Sequence, residues 1–186
     1  MLRFRRIIVR WSAAAAALLC SCIATASAAT TAPLPGGWYE FQGTWTAAGN
    51  RDALKMGADR YASVGDFTGS LVLSGPSRPN LGFRAEALVF NDSASGMVGR
   101  AVWTDQRGDQ IFSEIRGTGT KTGGKVNGTF VGGTGRYTGA TGSYSFTWQF
   151  VIQTEEGNVS GRATDVNGRV RFGSEPSALS AGVPRS

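Results

Sequence analysis

The stretch Tyr144-Ser145-Phe146-Thr147-Trp148-Gln149-Phe150-Val151-Ile152 decides the fold. Large apolar side chains recur at every second position, and small or polar ones stand between them except at Val151. Successive side chains of a strand point to opposite faces, so this period describes an extended chain with one apolar face. The pattern continues outward from the segment. Phe83, Ala85, Ala87 and Val89 alternate with Arg84, Glu86, Leu88 and Phe90, and Met97, Gly99, Ala101 and Trp103 with Val98, Arg100, Val102 and Thr104. Ile111, Ser113 and Ile115 alternate with Phe112, Glu114 and Arg116.

Turn formers punctuate these runs: Gly75-Pro76, Asn80, Asn91-Asp92, Arg107-Gly108-Asp109, Thr122-Gly123-Gly124 and Glu156-Gly157-Asn158. Asn167-Gly168, between two apolar runs, is the strongest short hairpin signal and predicts a turn there. Only Arg51 to Tyr61 hints at a helical period. Eight or so short antiparallel strands therefore predict an all-β sandwich or barrel, with a closed barrel favoured because closure removes unpaired edges.

The chain has 186 residues, enough for one domain of ordinary size. It contains no His, which excludes Ser-His-Asp and Cys-His catalysis, His-bearing metal sites and proximal-His haem. Arg3, Arg5, Arg6 and Arg10, followed by the uncharged run Trp11 to Leu19 and the small-residue site Ala26-Ser27-Ala28, predict a cleaved signal peptide over 1–28. Export to the periplasm or beyond the cell is the expected localisation. Four of the 19 basic residues leave with that segment while all 13 acids stay, so the net charge falls from +6 to +2. The remaining Arg and Lys are scattered, and no nucleic-acid partner is expected.

Both cysteines, Cys20 and Cys22, lie in the same segment, so a chain cleaved after Ala28 has neither thiol nor disulfide. The alternative is lipidation, since Leu19-Cys20-Ser21-Cys22 is similar to a lipobox; a membrane partner is expected only if Cys22 is acylated. Residues 29–37 read as an exposed leader, 38–173 as the barrel domain and 174–186 as a flexible tail.

The most specific stretch is Gly128 to Gly142, with Gly132, Gly133, Gly135, Gly139 and Gly142 around Arg136-Tyr137. Glycines at that density permit positive φ and close backbone approach, and predict a tight corner between strands. A phosphate loop would need a helix after it, whereas the strand from Tyr144 follows. This segment resembles the Gly-Gly-x-Gly-x-aromatic-x-Gly-x-x-Gly run of the allene oxide cyclase-like barrel group, which includes the dirigent proteins. The resemblance implies an eight-stranded antiparallel barrel, often oligomeric, with an apolar cavity. Gly43-Thr44-Trp45 is similar to the Gly-x-Trp entry motif of the lipocalins and other calycins, and Trp45 is expected to be buried.

Tyr39-Glu40-Phe41-Gln42 resembles the Tyr-Glu-x-Asn segment of plant allene oxide cyclases, with Gln in place of Asn. The resemblance implies that Glu40 and Gln42 share one face, inside the cavity, and take part in catalysis; the bland reading of Glu40 is a solvated charge on the outer face. The acids Asp105, Asp109, Asp165, Glu155 and Glu156 fall at turns or strand ends, where carboxylates are ordinarily solvated. Asn91, Asn127 and Asn158 match the glycosylation pattern. No cofactor and no metal are expected.

Two readings of function remain open. One is a binding protein whose cavity holds a small apolar molecule, walled by Trp45, Phe83, Trp103, Phe146, Trp148 and Phe150. The other is a cyclase or isomerase of allene oxide cyclase type acting on a fatty epoxide-derived substrate. A third, structural role is homo-oligomeric assembly through outward apolar residues such as Val98, Val102 and Val151.

Overall fold

A computed structural model describes residues 37–76 and 78–173. The signal peptide, most of the leader and the tail expected from the sequence lie outside them. Eight strands follow one another as β1 (Trp38–Lys55), β2 (Tyr61–Gly75), β3 (Arg78–Asp92), β4 (Gly96–Asp105), β5 (Gln110–Gly119), β6 (Gly123–Gly133), β7 (Thr141–Gln153) and β8 (Asn158–Arg171). Each pairs antiparallel with the next, and β8 pairs back on β1, so the sheet closes into an up-and-down barrel. The expected all-β, eight-stranded antiparallel barrel is the fold.

Alternation assigns the inside. Phe83, Ala85 and Ala87 of β3, Ala101 and Trp103 of β4, and Ile111, Ser113 and Ile115 of β5 are buried, while their sequence neighbours face out or are only half-buried. An eight-stranded barrel is just wide enough for its interior to be filled by side chains. Aromatic rings do most of the filling here, and small inward residues make room for them. Ala163 stands between Trp45 and Trp148, and Gly168 between Phe41 and Tyr144, across the ladders on either side of β8.

Three expectations from the sequence are corrected. Asn167-Gly168 is not a hairpin: β8 runs through it, and neither residue has the positive φ that a type I′ turn requires. The irregularity is a bulge centred on Asp165 (φ 55°), where β8 carries one residue more than both neighbours, so Ala163 and Val166 both face inward. Arg51 to Tyr61 is not helical either; Arg51 to Lys55 complete β1 and Tyr61 begins β2. Finally, Ile152 leaves the inward row of Tyr144 to Phe150 and is exposed, because β7 carries an extra residue between Phe150 and Ile152.

Gly168 is glycine for space. A Cβ there would lie 2.7 Å from Phe41 Cζ and 2.7 Å from Tyr144 Cβ, closer than carbon atoms tolerate. Gly168→Ala is therefore expected to cost about 1–3 kcal/mol, the ordinary penalty of overpacking a filled core. Urea denaturation checks it, and an unchanged midpoint would mean that Phe41 and the β7 backbone at Ser143, whose carbonyl oxygen is nearest at 2.5 Å, both yield freely.

The glycine-rich stretch forms the corner expected of it. Gly132, Gly135, Gly139 and Gly142 have positive φ, a single 3-10 turn spans Gly135–Tyr137, and β7 follows rather than a helix. With the up-and-down order, this corner, the β4–β5 turn and residues 38 and 171 lie at one end of the barrel, here the proximal end. The β1–β2, β3–β4, β5–β6 and β7–β8 turns lie at the other, the distal end.

Candidate functional site

The proximal end is plugged. Tyr137 is almost fully buried and packs against Phe83 and Phe172, with ring centroids 5.8 and 5.4 Å away. Beside it Asp105, expected as a solvated turn acid, is buried with its side chain wholly covered. Its Oδ1 accepts the Arg107 N–H at 2.7 Å and the Asp109 N–H at 3.1 Å, and its Oδ2 is ion-paired with Arg136. Burial pushes the Asp105 carboxyl up, but the Arg107 N–H and the Arg136 guanidinium outweigh it and hold the pKa below its usual value. Burial likewise drives the Tyr137 hydroxyl well above the ordinary phenol range, against the pull of Arg136. A proximal cavity of about 200 Å³ lies beside this plug, walled by residues such as Phe41, Phe83, Trp103 and Phe130 and reaching a rim that includes Trp38, Glu40 and Ser74. The buried charges of the plug, Asp105 and Arg136, are neutralised against one another.

Further in, the barrel is nearly solid. A gap of only about 20 Å³ remains between Trp45, Leu71, Trp103 and Tyr144. The Ser113 and Tyr144 hydroxyls share a buried hydrogen bond of 2.8 Å, and burial pushes the Tyr144 pKa up to about 12.

The distal end is chemically different. A cavity of about 70 Å³ is floored by Trp45, Phe67, Phe146, Trp148 and Phe150, and reaches a rim that includes Ser63, Thr118 and Thr120. Arg51 is its sole ionisable lining residue. The guanidinium lies over the Phe150 ring, 5.0 Å from its centroid, and among the described residues no carboxylate comes within ion-pair distance of it. Three polar atoms in the same wall also lack hydrogen-bond partners: the indole nitrogens of Trp45 and Trp148 and the Oδ1 of Asn91. All three residues are at least nine-tenths buried. Two more such atoms, the Arg136 Nε and the Tyr137 hydroxyl, lie in the proximal plug. An unpartnered buried polar group ordinarily costs about 1–3 kcal/mol, and the three that share the wall with Arg51 are groups a bound molecule or water would satisfy.

The residues expected to wall a ligand cavity thus divide. Trp45, Phe146, Trp148 and Phe150 line the distal cavity, whereas Phe83 and Trp103 belong to the proximal half. Glu40 and Gln42 share a face as expected, but it is the outer one. Both are exposed, and with Ser143, Ser145, Asn167 and Arg169 they line a shallow polar depression on the barrel wall; Glu40 also borders the rim of the proximal cavity. The reason is their phase: Tyr39, Phe41 and Trp45 take the inward positions of β1. Asn91 was expected at a turn; instead it is the penultimate residue of β3, with its carboxamide buried against Gly119, where a Cβ would fall 2.7 Å from Asn91 Cγ.

Among the described residues no three His, Cys, Asp or Glu side chains gather as a metal site, and no helix is long and apolar enough to cross a membrane. A scan of the chain against protein-family models finds no match, and a search of curated proteins finds none either.

Proposed function

We propose that the barrel is an exported binding protein whose distal cavity takes the apolar end of a small anionic amphiphile. The observation that carries this reading is Arg51, an inward-facing cation without a carboxylate partner at the mouth of an otherwise uncharged cavity. An apolar wall with a few convergent polar groups is the usual make-up of a small-molecule site. A guanidinium there selects a carboxylate, which it can grip with two parallel hydrogen bonds. Volume limits the tail. An engineered cavity of ~150 Å³ holds a benzene ring, and this one, at about 70 Å³, suits a slender alkyl chain. Export rests on the basic and apolar N-terminal sequence with its small-residue cleavage site.

Turnover is the less favoured reading. It rests on the resemblance to allene oxide cyclases, whose expected acid, Glu40, lies on the outer face together with Gln42. The distal cavity wall contains no acid, cysteine or lysine to serve as base or nucleophile. The barrel and its glycine corner fit kinship of architecture with that group, and binding needs nothing more.

Titrating a short-chain fatty carboxylate and the alcohol of the same length while following tryptophan fluorescence tests the proposal, since Trp45 and Trp148 form the wall. The carboxylate should bind the parent about tenfold tighter than the alcohol, equivalent to roughly 1.4 kcal/mol. Arg51→Met keeps an apolar stem and should remove that preference while leaving alcohol affinity unchanged. Equal affinities in the parent would overturn the role of Arg51, and absence of binding by either compound would overturn the cavity reading.

A further inference from the structure

The outer wall of β2, β3 and β4 carries a row of exposed apolar side chains that no element of the barrel covers. Val64 is paired directly across the ladder with Phe90, and Phe90 with Val98. All three are about half exposed, and Leu88, next along β3, is 64% exposed. Leu54 extends the patch towards β1. Apolar side chains scattered singly need no explanation, but a contiguous set in register across three strands marks an interaction surface.

Charge at the two margins identifies what covers it. Continued outward, the row runs Asp52, Val64, Phe90, Val98, Arg116. The adjacent row runs Asn50, Asp66, Leu88, Arg100, Glu114, with Arg100 ion-paired to Glu114 at 2.9 Å. The first row is acidic at its β1 end, apolar in the middle and basic at its β5 end; the second is acidic on β2, apolar on β3 and carries the Arg100–Glu114 ion pair on β4 and β5. Two copies meeting face to face through a closed symmetry must be related by a two-fold axis lying in the interface. An axis along β3 carries the β1–β2 side of one copy onto the β4–β5 side of the other. Asp52 then faces Arg116, Asp66 faces the Arg100 of the Arg100–Glu114 pair, Val64 faces Val98, and Leu88 and Phe90 meet their own counterparts. An axis across the strands would instead set Asp66 against Asp66 and Arg100 against Arg100. We propose that the protein forms a two-fold symmetric dimer through the outer face of β2–β4, with the axis running along β3.

Two further features fit this arrangement. A surface depression of about 330 Å³ lies between β1, β2 and Phe90, lined by Asp52, Leu54, Ala62 and Val64. It sits where the partner's Val98 and the stem of its Arg116 would arrive. Arg84 and Glu86, next along β3 from Leu88, are ion-paired to each other at 2.7 Å, so the axis brings together two neutral pairs rather than two like charges. The distal cavity opens at the barrel end and not through this wall, so the dimer neither requires nor blocks the ligand proposed for it.

Sedimentation of the full chain, with Cys20 and Cys22 replaced by serine, should give a dimer at micromolar concentration. Asp52→Arg or Arg116→Asp alone should shift it to monomer, and the two together should restore the dimer. Leu88→Cys should cross-link to itself under mild oxidation. Val64→Cys and Val98→Cys should each stay uncross-linked alone and couple when mixed. Circular dichroism of every variant checks that the barrel is intact. A parent that is monomeric, or that forms a trimer, overturns the proposal. So does a dimer unmoved by either charge reversal, or one in which Val64→Cys links to itself as readily as Leu88→Cys.

Discussion

Asp105→Ala is expected to destabilise the barrel by about 3–5 kcal/mol, the usual cost of leaving a buried charge without its partner. The carboxylate closes the β4–β5 turn through the Arg107 and Asp109 N–H groups and neutralises Arg136, whose side chain is only 11% exposed. Removing it leaves the guanidinium beside Tyr137 with only the more distant Asp109 carboxylate, 3.9 Å from its Nε, in the proximal plug. Replacing both charges, Asp105→Leu with Arg136→Met, should cost much less than the single change, because no buried charge is then uncompensated. The sign of the pH dependence follows from the depressed carboxyl. Its folded pKa lies below the ordinary 3.8 despite burial, so its contribution is complete above that value and drains away as the pH falls through the folded one. Urea denaturation at neutral pH and at successively lower pH below 4 measures both effects. The parent should lose stability in that acid window more steeply than Asp105→Ala, and parallel acid limbs would show that the pair contributes nothing specific.

The strands were legible because their chemistry is local. Tyr144 to Phe150, Phe83 to Val89 and Ile111 to Ile115 each carry their own period, and each occupies the face that the period assigns. What failed depended on neighbours. Asn167-Gly168 has the residues of a tight turn, but the glycine is there because Phe41 and Tyr144 lie over it from the strands on either side. No inspection of β8 alone contains that information. Asp105 looked like a solvated turn acid since its partner, Arg136, is 31 residues away in another corner.

The site divides the same way. The outward placement of Glu40 and Gln42 was written in the local alternation of Tyr39, Phe41 and Trp45, and the likeness to a catalytic segment pointed against that pattern. Arg51 was also within reach of the sequence. Counting by twos from Phe41 through Trp45, Ala47 and Gly49 arrives at Arg51 on the inward face. It was hidden because a charged residue near a strand end ordinarily signals solvent. Asn91 could not be found at all, since its role depends on an unpartnered oxygen and on the bare Gly119 beside it.

Trp103→Ala is expected to cost about 3–5 kcal/mol, the range for deleting a large aromatic from a core. Trp103 is 5% exposed and its ring meets four others: Phe41, Phe83, Phe130 and Tyr144, with centroids between 4.7 and 6.1 Å away. It also stands between the proximal cavity and the 20 Å³ gap at mid-barrel, lining both. Its removal would merge them into one larger void that neighbouring strands, tied into a closed sheet, cannot collapse to fill. Trp103→Phe keeps part of the contact and should cost less. The residue was expected from the sequence to touch ligand, yet it does not line the distal cavity. Trp103→Phe should therefore lower the denaturation midpoint while leaving the affinity for the short-chain carboxylate within about twofold of the parent, a difference of roughly 0.4 kcal/mol. A Trp148→Ala comparison sharpens the contrast, because that ring lines the distal cavity itself and its loss should weaken binding. If Trp103→Phe impaired carboxylate binding as much as Trp148→Ala did, the proximal and distal halves would be one site, and the assignment of the ligand to the Arg51 end would fail.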